Sequence, residues 1–390
     1  MSNYIFLLGS NPTLSLAEIK AKFHRPHITI LSEKAALLKL DNSIENPQAI
    51  LNSMGGTIRI AEFIKNYPLQ NPSEILFDLL SNEFSDIKDI GISYYNFNQN
   101  LSKTLIQTKK NLRKSGLNKR FIFENNQPEL KAATLKRNKL INKGIELLLI
   151  KTDQNIAIGK TIAIQDVDQY SLRDYGKPKP DTISGMLPPK LSQMMLSLAC
   201  IEPGHTVYDP FCGSGVVLQE ALMQKMNIIG SDISEKAIIH TRENLKWLIK
   251  QFHLEIPDYR HLVEKDIFQA DATYYQLEHP VDAIVTEPYL GPGHSHTPTD
   301  EFAIQILNNI RPIYEKFLKS STKNIKKDGF LVFVIPVIKT DTRKHSIDIK
   351  SLLDSPLKEE YNLIQFDNSD LIYEQPGQKV LRKIIVLQKI

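Results

Sequence analysis

The sequence predicts an α/β protein, with a doubly wound, Rossmann-like sheet in its C-terminal half and a smaller α+β region ahead of it. Three observations carry this. An apolar strand, a glycine-punctuated turn and a helix follow one another over residues 206–222. Strands then alternate with helices almost to the C-terminus. Acidic residues close successive strands, where open α/β sheets bind ligands.

In the glycine turn, Asp209 ends the strand, and Gly213 and Gly215 let the backbone bend sharply and approach a ligand closely. The helix that starts near Val216 leaves unpaired N–H groups facing the crevice. Gly-x-Gly is present, but Leu218 stands where a dinucleotide-binding G-x-G-x-x-G has its third glycine. An aspartate ahead of the turn and no third glycine suit a carboxylate-bearing, phosphate-free ligand such as S-adenosylmethionine. Phe211, Gly213, Ser214 and Gly215 are its candidate contacts here.

A second strand, 227–233, ends in Asp232 beside Ile233, where a carboxylate can accept both hydroxyls of a ribose. A third strand runs to Asp266. Asp271 follows, and either acid could meet an adenine amino group. The fourth strand leads into Glu287-Pro288-Tyr289-Leu290.

At 390 residues the chain can hold two or three domains. No apolar run is long enough to span a bilayer, and residues 1–6 lack the basic start of a signal peptide. Two cysteines, Cys200 and Cys212, make no disulfide framework, so a cytoplasmic location is expected. Cys212 has no evident partnering base and reads as a small filler. The net charge of +4 is uneven: residues 103–143 carry twelve Lys and Arg against two Glu, +10, leaving −6 for the remainder. Such a stretch suits a phosphate backbone, although a solvated helix face would look the same.

Taken in order, residues 4–8 read as a strand, and 14–23 as a helix capped by Ser15 with Glu18 three positions on. Two short strands (28–40), a helix (46–54) and a strand (57–67) complete an N-terminal α+β domain, 1–67. Residues 68–166 form a second domain: an amphipathic segment (73–80), then strand, basic helix, strand, basic helix and a strand pair. Lys109, Lys110, Arg113, Lys114, Lys136, Arg137 and Lys139 would make its RNA-binding face. Residues 167–185 read as a proline-stiffened linker. From 186 to 390, alternating helices and strands end in an antiparallel hairpin across 375–378, which matches a seven-stranded methyltransferase sheet better than a plain dinucleotide fold.

These pieces resemble a family. Residues 4–9 with 14–18, 158–166, 170–174 with Pro178, 186–191 and 209–215 occur in the order found in THUMP-domain S-adenosylmethionine-dependent tRNA guanine-N2 methyltransferases, which act on the tenth nucleotide of tRNA. The resemblance spans most of the chain. It implies an N-terminal α+β ferredoxin-like/THUMP region that grips tRNA, and a C-terminal domain that methylates guanine N2. Pro189 is a further candidate cofactor contact, and Arg173 with Asp174 a candidate substrate (RNA) contact, read equally as a salt-bridged domain hinge. The family's catalytic tetrapeptide is usually Asp-Pro-Pro-Tyr, whereas Glu287-Pro288-Tyr289-Leu290 stands here. Glu287, Pro288 and Tyr289 are the candidate catalytic residues: a carboxylate and a backbone carbonyl would accept the amine hydrogens, and Tyr289 would stack on the base.

The expected cofactor is S-adenosylmethionine, the expected partner tRNA, and the expected state a monomer without membrane contact; these residues do not bear on an activating subunit. His294 and His296 form an H-x-H pair with no third ligand at a suitable spacing, so no metal is expected. Trp247 reads as packing. Two alternatives stay open: an amino-methyltransferase of ribosomal RNA or DNA on the same fold, and an RNA-binding protein whose altered tetrapeptide is inactive.

Overall fold

The computed structural model describes all residues except 1, 25, 125–126, 181–185, 294–295, 354–355 and 368. The chain divides into two compact units, one of residues 1–12, 25–52 and 57–167, the other of 13–24, 53–56 and 168–390.

The first 167 residues hold β1 (Ser2–Leu8), α1 (Pro12–Lys22), β2 (His27–Ser32), β3 (Ala35–Leu40), α2 (Pro47–Asn52) and β4 (Thr57–Pro68). They continue with α3 (Pro72–Asn82), β5 (Asp89–Tyr95), α4 (Ser102–Lys114), β6 (Arg120–Ile122), α5 (Ala132–Arg137), β7 (Ile145–Lys151) and β8 (Asn155–Ile164). The N-terminal unit is one eight-stranded sheet in the order β2-β3-β1-β4-β8-β7-β5-β6. The strands of 1–67 and those of 68–166 therefore share a sheet, joined where β4 pairs antiparallel with β8.

Period-two alternation sorts side chains between its faces. On β7, Leu147 and Leu149 pack with Ile75, Leu79, Leu105 and Leu112 of α3 and α4, while Leu148 and Ile150 face Ile5 and Leu7 of β1. A buried polar knot crosses the strands. Arg59 of β4 meets the Glu146 carboxylate at 2.7 Å, and Ser93 and Thr161 donate to it at 2.5 and 2.6 Å.

The C-terminal unit begins with α1, whose Leu14, Ala17 and Ala21 join its core. The capping reading of this helix fails. Pro12 starts the helix, a position where its missing N–H costs nothing, so Ser15 and Glu18 lie inside the helix and fully buried. Glu18 instead accepts the Gly55 and Gly56 amides, both at 2.8 Å.

The remaining elements are α6 (Val167–Tyr175), α7 (Pro189–Leu198), β9 (Thr206–Asp209), α8 (Val216–Met223), β10 (Asn227–Asp232), α9 (Glu235–Gln251), α10 (Tyr259–Glu264), β11 (Ile267–Gln269), β12 (Val281–Thr286) and α11 (Asp300–Asn324). After them come β13 (Ile325–Lys339), β14 (Lys344–Ser346), α12 (Ile349–Leu352), α13 (Leu357–Glu360), β15 (Tyr361–Leu363), β16 (Leu371–Tyr373) and β17 (Val380–Lys389). Helix α6 occupies the first half of the expected linker.

The sheet has nine strands, seven of them in the row β11-β10-β9-β12-β13-β17-β15, with β14 on β13 and β16 on β17. β11, β10, β9, β12 and β13 run parallel; β17 is antiparallel to β13, β15 and β16. β17 thus lies inside the row, not at its edge. Helices cover both faces. Val332 and Val334 of β13 pack with α7, α8 and α9, whereas Leu331, Phe333 and Ile335 pack with α11. Sandwiched between helices, the parallel strands bring their carboxyl ends to one edge, where ligand-binding groups gather in such sheets.

Candidate active site

The crevice at that edge is built from the glycine turn outward. Gly215 sits at the head of α8 with φ +83°, and a Cβ there would lie 3.0 Å from Thr241. Gly213 has φ +53°. Helix α9 clamps the turn: the Thr241 hydroxyl donates to the Gly213 carbonyl at 2.8 Å, and the Asn244 amide donates to the Ser214 carbonyl at 2.9 Å. Asn244 also exchanges two 2.9 Å bonds with the Lys179 backbone, bringing the segment before Pro180 beside the turn.

Asp209 is buried and accepts from the Thr286 hydroxyl at 2.6 Å and the Phe211 amide at 3.2 Å. Burial pushes its carboxyl up to about 7; the two donors pull it back, and Asp232 and Glu287 add to the rise. Asp232 accepts the Gly213 amide at 3.0 Å and the Ser234 amide at 2.9 Å. Its carboxyl is raised by burial, offset by these bonds. Asp271 accepts from the Thr273 amide and hydroxyl at 2.8 and 2.7 Å. Strand β11 separates the two competing acids: Asp266 precedes it and faces His261 at 3.4 Å, whereas Asp271 follows it.

Two cavities meet here. The larger, about 720 Å³, is lined by Asp232, Ile233, Asp271, His240 and Pro180 among others. The smaller, about 320 Å³, is lined by Met186, Leu187, Asp209, Pro288 and Leu290–Gly293. Phe211, Gly213, Ser214, Glu287 and Tyr289 belong to both walls. The larger volume is that of a small-molecule site, with acids for hydroxyl and amino groups and the 67% exposed Ile233 for an apolar ring.

The 287–291 turn is held from three sides. The Tyr314 hydroxyl donates to the Tyr289 carbonyl at 3.2 Å, leaving the Tyr289 ring half exposed. Gly291 takes φ +97°, where a Cβ would strike Ile306 at 2.7 Å. Arg382 of β17 forks onto Glu287, Nε to Oε1 at 2.6 Å and Nη2 to Oε2 at 3.2 Å. Burial raises the Glu287 carboxyl and Arg382 draws it back.

Residues 173–343 match the family model described as RMKL-like, methyltransferase domain. Residues 60–243 match a second, described as DNA methylase. The chain is 29% identical over 187 residues to a tRNA (guanine(10)-N2)-dimethyltransferase of Methanothermobacter thermautotrophicus, covering 47% of each chain. It is 28% identical over 213 residues to the protein of that name in Methanocaldococcus jannaschii, covering 52% of this chain and 53% of the other. The chain thus aligns with about half the length of these curated relatives. Among solved structures, TrmN from Thermus thermophilus superposes over 100% of both chains with a TM-score of 0.53 at 16% identity, a likeness of fold. Residues 173–343 thus match a methyltransferase domain, and the chain shares the fold of that solved structure.

Of the residues expected to contact a cofactor, Asp209, Phe211, Gly213, Ser214, Asp232, Ile233 and Asp271 line the two cavities, as do Glu287, Pro288 and Tyr289. Gly215 shapes the turn from behind. Pro189 departs from expectation: it is buried as the first residue of α7, and Met186 and Leu187 hold the wall instead.

Arg173 departs too. It is 4% exposed and bonds Glu220 at 2.6 Å, with its guanidinium over the Tyr170 ring, so it offers RNA no surface and the salt-bridge reading holds. Lys109, Lys110, Arg113 and Lys114 are exposed on α4, and Lys136, Arg137 and Lys139 are exposed at and after α5, all in the N-terminal unit. Lys136 pairs with Asp166 at 2.8 Å. Lys119, part of the same basic excess, is buried and donates to the Phe84 and Ile87 carbonyls, each at 2.7 Å.

Cys212 is buried under the turn, and burial pushes its thiol far up, which suits a filler. Trp247 packs edge-on to Phe252. His294 lies outside the described residues. Among the described residues no cluster could hold a metal ion, and no helix is long and apolar enough to cross a membrane.

Sequence reasoning missed Arg382, Thr241, Asn244 and Tyr314. Arg382 left a signal: it shares a strand face with Ile384 and Val386 of the core, and an arginine on a buried face needs a partner.

Proposed function

We propose that the chain is an S-adenosylmethionine-dependent methyltransferase acting on the exocyclic N2 of a guanine in tRNA, at position 10. The carrying observation is that Glu287 and Tyr289 stand in the wall between two joined cavities, one suited to an adenosine-like ligand and one beside it for a base. The names of the two archaeal relatives support the substrate.

In this reading the row of seven strands is a Rossmann-like methyltransferase sheet. Asp232 would accept the ribose hydroxyls while continuing to hold the glycine turn, and Asp271 would accept from the adenine amine. Gly213 and Ser214, with Phe211 and Ile233, would complete the walls that hold the cofactor. When bound, the cofactor would supply a sulfonium methyl group as the electrophile for the guanine amine.

The chain's own part is positioning. A guanine N2 lone pair is delocalised into the ring and attacks poorly. Glu287 and a backbone carbonyl of its turn accept the two N–H bonds and fix the nitrogen, while the Tyr289 ring stacks on the base. Alignment of this kind is worth up to roughly 7–11 kcal/mol.

Residues 1–67 and 68–166 are proposed as an α+β ferredoxin-like domain and a THUMP-like RNA-binding domain. The exposed cations of α4 and α5 would meet the tRNA backbone. The DNA methylase match over 60–243 favours a second reading, amine methylation of DNA. Unmodified tRNA, ribosomal RNA and duplex DNA, each incubated with labelled cofactor and digested for nucleoside mass analysis, separate the two. The proposal expects N2-methyl- or N2,N2-dimethylguanosine from tRNA alone; label in N6-methyladenine from DNA would reject it.

A further inference from the structure

We propose that Arg382 is a positioning residue for the base-orienting carboxylate: its guanidinium forks onto Glu287 and holds it in the wall shared by the two cavities as an acceptor for an amine N–H. This rests on the role given to Glu287 above and adds the group that makes the role workable.

The pair is a two-pronged one between side chains only 8% and 15% exposed. Its base is rigid, because Arg382 lies opposite Pro336 of β13 on one side and Tyr373 of β16 on the other. A carboxylate has about four lone-pair directions, and a fork uses one on each oxygen. The rest stay available to a donor in the cavity that Glu287 lines.

Among the described residues, three other titratable groups stand near this carboxylate. Asp209 of β9 opposes its charge, Tyr314 of α11 stays neutral with its hydroxyl raised by burial, and Tyr289 is the next residue but one. Arg382 is the cation that faces it from the sheet. Without that charge, burial and Asp209 favour the protonated acid, whose O–H oxygen presents a hydrogen to the amine where a lone pair is needed. The glutamate at a position where the related tetrapeptide carries aspartate supplies one more methylene of reach toward β17.

The test is a carbon-13 titration of glutamate-labelled protein, with the Glu287 signal assigned by its loss in Glu287→Gln. It is run on wild type, Arg382→Gln and Arg382→Lys, alongside kcat against pH and calorimetric binding of S-adenosylmethionine. The expected result is a Glu287 midpoint raised by about one pH unit or more in Arg382→Gln and by less in Arg382→Lys. The acid limb of kcat should move with it, at cofactor affinity within about twofold of wild type. If Arg382→Gln does not fold, Arg382→Lys, which keeps charge but loses the fork, carries the test.

An unmoved midpoint in a variant that still binds cofactor overturns the proposal. The titration needs no turnover, so the two readings fail separately. Methylation of tRNA with no shift rejects the role of Arg382 alone, and a shift without methylation of any nucleic acid rejects the function.

Discussion

The Gly213 amide donates to the Asp232 carboxylate at 3.0 Å, so the acid that ends β10 fastens the glycine turn as well as facing the larger cavity. The Ser234 amide takes its other oxygen. Asp232→Asn turns one acceptor into an amide donor against a backbone N–H. The expected outcome is cofactor affinity lowered by about tenfold or more, read by calorimetry, with a thermal midpoint a few degrees lower.

Burial raises the Glu18 carboxyl to about 7 from an ordinary 4.5, against the pull of the Gly55 and Gly56 amides and of Lys22. The folded state therefore binds a proton that the unfolded chain releases across this window. The stability contributed is fully present below pH 4.5 and lost as pH rises through about 7. Glu18→Gln should remove that slope, on the order of 3 kcal/mol. Thermal midpoints of wild type and variant, compared from pH 5 to 8 (about the titrating window), check it; parallel curves would contradict it.

Arg173→Ala leaves Glu220 buried without its cation. A destabilisation of about 3–5 kcal/mol is expected by denaturant unfolding, with tRNA affinity unchanged under conditions where the variant is folded.

The exposed cations of α4 predict the opposite pattern. Changing Lys109, Lys110, Arg113 and Lys114 to Gln should leave the thermal midpoint within a degree or so and lower tRNA affinity. The slope of log K against log salt should fall by up to about 3.

The glycine turn and the strand-end acids were legible because each is a short local pattern whose chemistry the fold must honour. Local pattern misled where two signals competed. Ser15 and Glu18 have the spacing of a capping box, but Pro12 starts the helix earlier, and Glu18 is spent on the backbone at residues 55–56. The prolines at 178 and 180 made 167–185 read as one linker, although α6 forms before they begin. Asp266 and Asp271 could not be told apart because β11 is three residues long, too short to carry a period. Lys119 counted toward the basic excess because composition is blind to burial. Arg382 and Glu287 are 95 residues apart, and only the sheet order β12-β13-β17 makes them neighbours.

Single-turnover transfer of labelled methyl groups to an unmodified tRNA transcript, by wild type and by Glu287→Gln, tests the central claim most directly. The expected result is that Glu287→Gln binds S-adenosylmethionine as wild type does and transfers the methyl group about 100-fold more slowly or worse. Transfer at the wild-type rate would contradict it.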